Sequence, residues 1–112
     1  MVEVCEYSDS LGRKPFRVWV RHLDPSSRDR IEAAILRIKH GNFSQVKGLG
    51  GGLLEYRLHF GLGYRIYCGR EGQALVVLLV GGTKAGQHRD IKKARAMWRD
   101  YKNRGSRQGG MT

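Results

Sequence analysis

Leu53-Leu54-Glu55-Tyr56-Arg57-Leu58-His59-Phe60, then Gly61-Leu62-Gly63, then Tyr64-Arg65-Ile66-Tyr67-Cys68, is the stretch whose reading decides the fold. Both flanks alternate with a period of two, which places successive side chains on opposite faces of a strand. Leu54, Tyr56, Leu58 and Phe60 fall on one face, with Glu55, Arg57 and His59 on the other. After the glycines, Tyr64, Ile66 and Cys68 oppose Arg65 and Tyr67. Two such runs around a short glycine-containing segment predict a β-hairpin. A two-residue loop would mix the faces. A three-residue loop pairs Phe60 with Tyr64, Leu58 with Ile66 and Tyr56 with Cys68, so that the apolar faces coincide. That register sets His59 opposite Arg65 and Arg57 opposite Tyr67, with Gly63 left-handed in the turn.

Outward from the hairpin, Gly69–Gly72 reads as a turn and Gln73–Val80 as a third, apolar, central strand, with Gly81-Gly82-Thr83-Lys84 leaving its end. A last helix is predicted from about His88 to Tyr101, with Ile91, Ala94, Met97, Trp98 and Tyr101 on its inner stripe. In the other direction, Asn42–Gly52 reads as a glycine-rich loop. It lacks the Gly-Lys-Ser/Thr and following helix of a phosphate-binding loop. Asp24-Pro25 starts a helix, Asp as N-cap and Pro in the first turn, that carries Ile31, Ala34, Ile35 and Ile38 and ends at Gly41. Before it, Pro15 opens a short helix with Phe16, Trp19, Val20 and Leu23 at core spacing. Val2–Tyr7 reads as a strand. The order predicts an α+β domain: a mainly antiparallel four-stranded sheet with helices packed on one face, β-α-α-β-β-β-α. The domain spans residues 1–103 and a flexible tail 104–112. The other sheet face is expected to lie open, carrying Arg57, His59, Arg65 and Tyr67.

The chain has 112 residues, with 21 Lys and Arg against 10 Asp and Glu, a net charge of +11. That surplus attracts polyanions, so nucleic acid or an acidic protein segment is the expected partner. No apolar run is long enough to span a membrane. Met1–Tyr7 mixes apolar and acidic residues, unlike a signal segment, and the reading is a cytoplasmic protein without membrane association. Two well-separated cysteines read as thiols, and no ligand spacing suggests a metal or another cofactor.

Arg57 and Arg65 are planar forks suited to phosphate oxygens, and Lys84 at the exit of the neighbouring strand adds a third charge. His59, and secondarily His88, can exchange a proton near neutrality. Metal-free RNA cleavage needs a base for the 2′-OH, cations for the phosphorane and an acid for the leaving 5′-oxygen. The candidate catalytic set is therefore Arg57, His59, Arg65, Lys84 and His88. Lys47, Tyr67, Lys92 and Lys93 are candidate RNA contacts, Tyr67 through its ring.

The ordered set Gly52–Leu58, Gly63–Tyr67, Leu78–Lys84, Gln87 and Asp90-Ile91 resembles the RelE/ParE toxin superfamily, most of all its HigB-like addiction module killer branch. The Phe16/Trp19 helix and the Asn42-Phe43 loop extend the resemblance over nearly the whole chain except the tail. The resemblance implies a RelE-like fold and a toxin of a type II toxin-antitoxin system, held in a hetero-oligomer with a cognate helix-turn-helix, DNA-binding antitoxin. Many RelE-like members cleave mRNA in the ribosomal A site without a metal, using scattered basic residues. Arg57, His59, Arg65 and Lys84 fall at basic positions of that kind. RelE-type enzymes often stack a tyrosine of the final segment on the nucleotide; residues 87–90 contain none, and His88 stands nearest to replace it. The resemblance leaves two other readings open, a ParE-type toxin that poisons DNA gyrase and a non-catalytic RNA-binding regulatory module.

Overall fold

A computed structural model describes residues 1–104, so the expected tail lies, apart from Arg104, outside the described residues. The elements run β1 (Glu3–Glu6), α1 (Pro15–Arg21), α2 (Pro25–Lys39), β2 (Val46–Gly50), β3 (Leu53–Arg57), β4 (Tyr64–Glu71), β5 (Leu75–Thr83), a 3₁₀ turn (Lys84–Gly86) and α3 (Gln87–Asn103). The fold is α+β. One sheet carries the order β1-β5-β4-β3-β2, with β1 parallel to β5 and the other pairings antiparallel. No helix among the described residues is long and apolar enough to cross a membrane.

Local chemistry explains the helices. The Asp24 carboxylate accepts from the Ser27 backbone N–H at 3.1 Å, filling one of the open donors at the start of α2. Pro25 occupies the first turn, where its missing N–H costs nothing. Past the end of the helix, Gly41 takes a left-handed φ of 81° and its N–H bonds the Ile38 carbonyl at 2.9 Å.

Four expectations need correction. The sheet has five strands: Val46–Gly50, read as loop, pairs with β3 through a bulge at Gly48/Gly50. Glycines disfavour strands, but β2 is an edge strand and follows the well-paired β3 into place. Second, helices cover both faces. α1 and α2 bury Phe16, Val20, Ile31, Ile35 and Ile38 against Tyr56, Leu58, Ile66 and Cys68. On the reverse face, α3 brings Ala94 and Trp98 onto Leu53, Tyr67, Val77 and Leu79. Only the end of that face near the hairpin turn stays open.

Third, the hairpin register is shifted by two residues. Tyr56 pairs with Ile66 and Arg57 with Arg65, and Leu58 N–H bonds the Tyr64 carbonyl at 2.9 Å. Phe60 leaves the strand and packs against Tyr64 from the turn, ring centroids 5.0 Å apart. A shift of two preserves the faces. Gly63 is left-handed as expected, with φ 72°.

Fourth, Gly81, Gly82 and Thr83 lie inside β5, opposite Ile66, Arg65 and Tyr64. A Cβ at Gly81 would overlap the Trp19 ring from α1, and one at Gly82 would overlap the Asp90 carboxylate from α3. The two glycines thus let a helix approach the strand from each side. Cys5 and Cys68 are free and belong to the clusters on opposite faces of the sheet. Burial pushes the Cys68 thiol up to about 12, which makes it an inert core group.

Candidate functional site

The end of β3, the hairpin turn, β4, the 3₁₀ turn and the start of α3 border an open cleft of about 760 Å³. Arg57, His59, Phe60, Arg65, Lys84 and Gln87 are among its lining residues. Four of the five expected catalytic side chains are therefore brought together. Arg57 and Arg65 face each other across β3 and β4, a pairing of like charges that destabilises a sheet unless each is compensated.

The compensation differs for the two. Arg57 Nε donates to Glu55 Oε1 at 2.9 Å, two residues back on the same strand face. The Glu55 side chain is fully buried, and its other oxygen accepts from Gln87 Nε2 at 2.7 Å. Burial alone would push the Glu55 carboxyl up; the hydrogen bonds from Arg57 and Gln87 outweigh it and hold the group below its ordinary value. Arg65 has no carboxylate partner among the described residues. It is 7 % exposed, and its Nη1 donates to the carbonyls of Gly63 at 3.0 Å and Tyr64 at 3.4 Å. Those bonds hold the guanidinium against the turn.

Lys84 is placed by the turn. Its backbone N–H reaches the Leu62 carbonyl at 3.4 Å, and its side chain runs beside Gly63, where an added Cβ would stand 3.3 Å from Lys84 Cβ. Lys84 is exposed and has no acidic partner among the described residues. His59 is exposed at the rim and lines two neighbouring hollows as well. Lys47, opposite Glu55 on β2, shares the smaller hollow with Arg57 and His59.

The other expected residues stand elsewhere. Tyr67 is fully buried beneath α3, so its ring cannot receive a base as expected from an open face. Its phenol lies close enough to Glu55 to feel the charge without forming a hydrogen bond of good geometry among the described residues. Burial, then that charge, pushes it well above the ordinary tyrosine range. His88 projects onto the outer surface of α3, which it shares with Arg89, Lys92, Arg95 and Arg99. Lys93 lines a groove between α1 and α3. The helix begins at Gln87, and that phase turns Gln87 and Asp90 toward the sheet and His88 away.

Sequence reasoning missed Glu55 and Gln87, the pair that fixes Arg57. The signal was present: a carboxylate two residues from Arg57 shares its strand face. Among the described residues no three His, Cys, Asp or Glu side chains are grouped to hold a metal ion. The positive charge of the cleft comes from its side chains.

The fold and cleft define a small α+β protein with a cationic site at one end of its sheet. No family model matches the sequence. The chain is 37 % identical over 83 residues to an uncharacterized protein of Haemophilus influenzae, across 73 % of this chain and 84 % of that one, and it belongs to the same family.

Proposed function

We propose that the protein is the toxin of a type II toxin-antitoxin pair, a RelE/HigB-like endoribonuclease that cuts mRNA on the ribosome and halts translation. One observation carries the reading: Arg57, Arg65 and Lys84 line one cleft, and Glu55, the carboxylate that pairs with Arg57, is buried with both oxygens engaged. Such a cleft takes an anion. A scissile phosphate held there gains negative charge as the 2′-oxygen attacks, and preorganised cations stabilise that state more than the ground state.

In this mechanism Arg65 and Lys84 hold the non-bridging oxygens. Arg57, oriented by Glu55, adds a third contact. His59 supplies the imidazole of the cleft, whose ring nitrogens can take the 2′-OH proton or deliver one to the 5′-oxygen. The phosphorus–oxygen bond to the 5′ side breaks as the 2′-oxygen bond forms, leaving a 2′,3′-cyclic phosphate and a 5′-hydroxyl. The toxin works in the cytoplasm, and its antitoxin presents an acidic segment that neutralises the basic surface and orients the complex.

Induced expression in a bacterial host tests this reading. Growth should stop with loss of amino-acid incorporation before loss of DNA synthesis, and mRNA 5′ ends should appear within codons. Arg65→Ala and Lys84→Ala should each lower cleavage by about 10²–10³, the loss associated with one oxyanion-stabilising donor. Arrest of DNA synthesis first, with intact mRNA, would instead indicate gyrase poisoning.

A further inference from the structure

A second hollow of about 310 Å³ adjoins the cationic cleft and shares His59 and Phe60 with it. Its other lining residues are Arg30 and Arg37 of α2, Gln45 before β2, and Leu58. Its chemistry differs from that of the cationic cleft. The Arg30 guanidinium lies over the Phe60 ring, 4.7 Å from its centroid, so one planar group backs the other. The Arg37 Nε donates to the Tyr56 hydroxyl at 2.9 Å, which fixes the side chain, while its terminal amino groups have no partner among the described residues. Leu58 supplies an apolar floor, and Gln45 an amide that can donate and accept. An aromatic ring with a guanidinium over it, beside an apolar floor and a few polar groups, suits a nucleobase better than a bare phosphate, which offers no face to stack.

We infer that this hollow is a base subsite for the nucleotide adjacent to the phosphate in the cationic cleft, with the Phe60–Arg30 pair as its stacking platform. The inference rests on the RNA reading above. The strand crosses at His59, which lines both hollows. Gln45 and Arg37 face the base edge and sugar-phosphate, which gives the site a means of preferring some bases over others. Phe60 occupies this position because the hairpin register moves it out of the strand and into the turn.

The test is a cycle between protein and ligand, read by fluorescence anisotropy of a labelled single-stranded RNA pentamer on the full chain. A matched set carries one abasic position, moved along the pentamer. Phe60→Ala should weaken binding of the intact RNA roughly 5- to 100-fold, the range for one stacked base. Arg30 is exposed, so Arg30→Gln leaves the core untouched and tests the same platform if Phe60→Ala does not fold. Its loss should be roughly 2- to 5-fold. At one position the abasic RNA should bind the wild type as weakly as the intact RNA binds the variant, and the two losses should not add. Equal losses on intact and every abasic RNA would overturn the inference, because the hollow would then sense only charge, as it would for an acidic protein segment. Wild-type affinity in both variants, with a loss in Lys84→Ala, would overturn the subsite and leave the cationic cleft standing. No affinity of the wild type for the pentamer would overturn both.

Discussion

At Glu55 a carboxylate with no exposed surface spends one oxygen on Arg57 and the other on Gln87. Carboxylates are almost never fully buried unless paired, so a glutamate in an alternating strand reads by default as a solvent-facing residue. That is why the sequence placed it on the face of Arg57 without marking it as the residue that holds Arg57. Its protonation is linked to stability. The folded-state pKa lies below the ordinary carboxylate value, so the unfolded chain binds the proton more tightly. The stabilisation is present above the ordinary value and is lost as pH falls through the folded one. Glu55→Gln should therefore be less stable at pH 7 and should lose less stability than the wild type on acidification. Urea unfolding between pH 3 and 7 measures both, and an unchanged acid slope would contradict the assignment. Some slope should persist in the variant, because Asp9, Asp24 and Asp100 are also held low by their hydrogen bonds. Arg57→Ala should cost about 2–3 kcal/mol, below the full value for a broken buried pair because Arg57 is partly exposed.

At the level of elements, period-two alternation identified the faces of β3 and β4, and those faces survive in the structure although the register moved by two. Register depends on where the chain leaves the strand, which alternation does not encode: β3 ends at Arg57, and Phe60 packs on Tyr64 from the turn. Coverage of the second sheet face was legible in principle. Leu75–Val80 is apolar at every position, which a strand needs when both faces are buried, and the inner stripe of the last helix is what covers it. β2 was not legible, since a strand containing Gly48 and Gly50 exists only by pairing with β3. The same two-sided packing explains the glycines of β5. Gly81→Ala should destabilise by about 1–3 kcal/mol, because the methyl group meets the Trp19 ring in a filled core. Gly48→Ala, where a Cβ meets nothing within 4 Å and φ is not positive, should change stability by less than about 1 kcal/mol. Thermal or urea unfolding of the two variants side by side checks this; equal losses would remove the packing account.

Over the whole molecule, the net charge of +11 is not one uniform coat. One group of cations lines the end of the sheet: Arg30, Arg37, Lys47, Arg57, Arg65 and Lys84. Another, Arg89, Lys92, Arg95 and Arg99, covers the outer face of α3. Composition revealed the surplus, but the gathering of these ten cations, of 21 in all, on two surfaces follows from the helix phase set at Gln87 and from the seating of α3 on the sheet, which are tertiary facts. The two arrangements differ in how they release counterions. A diffuse polycation would show similar salt dependence whichever lysine is removed. A cleft that grips a single strand should steepen the slope of log affinity against log salt by about 0.7 for each phosphate it neutralises. Lys84→Ala should then flatten the slope by about 0.7, the share of one phosphate contact. Lys92→Ala, equal in charge but on α3, should leave the slope for a short single-stranded RNA unchanged. Titrations from low to physiological salt distinguish the cases, and the same flattening in both variants would mean that the end-of-sheet cleft has no special hold on the phosphates.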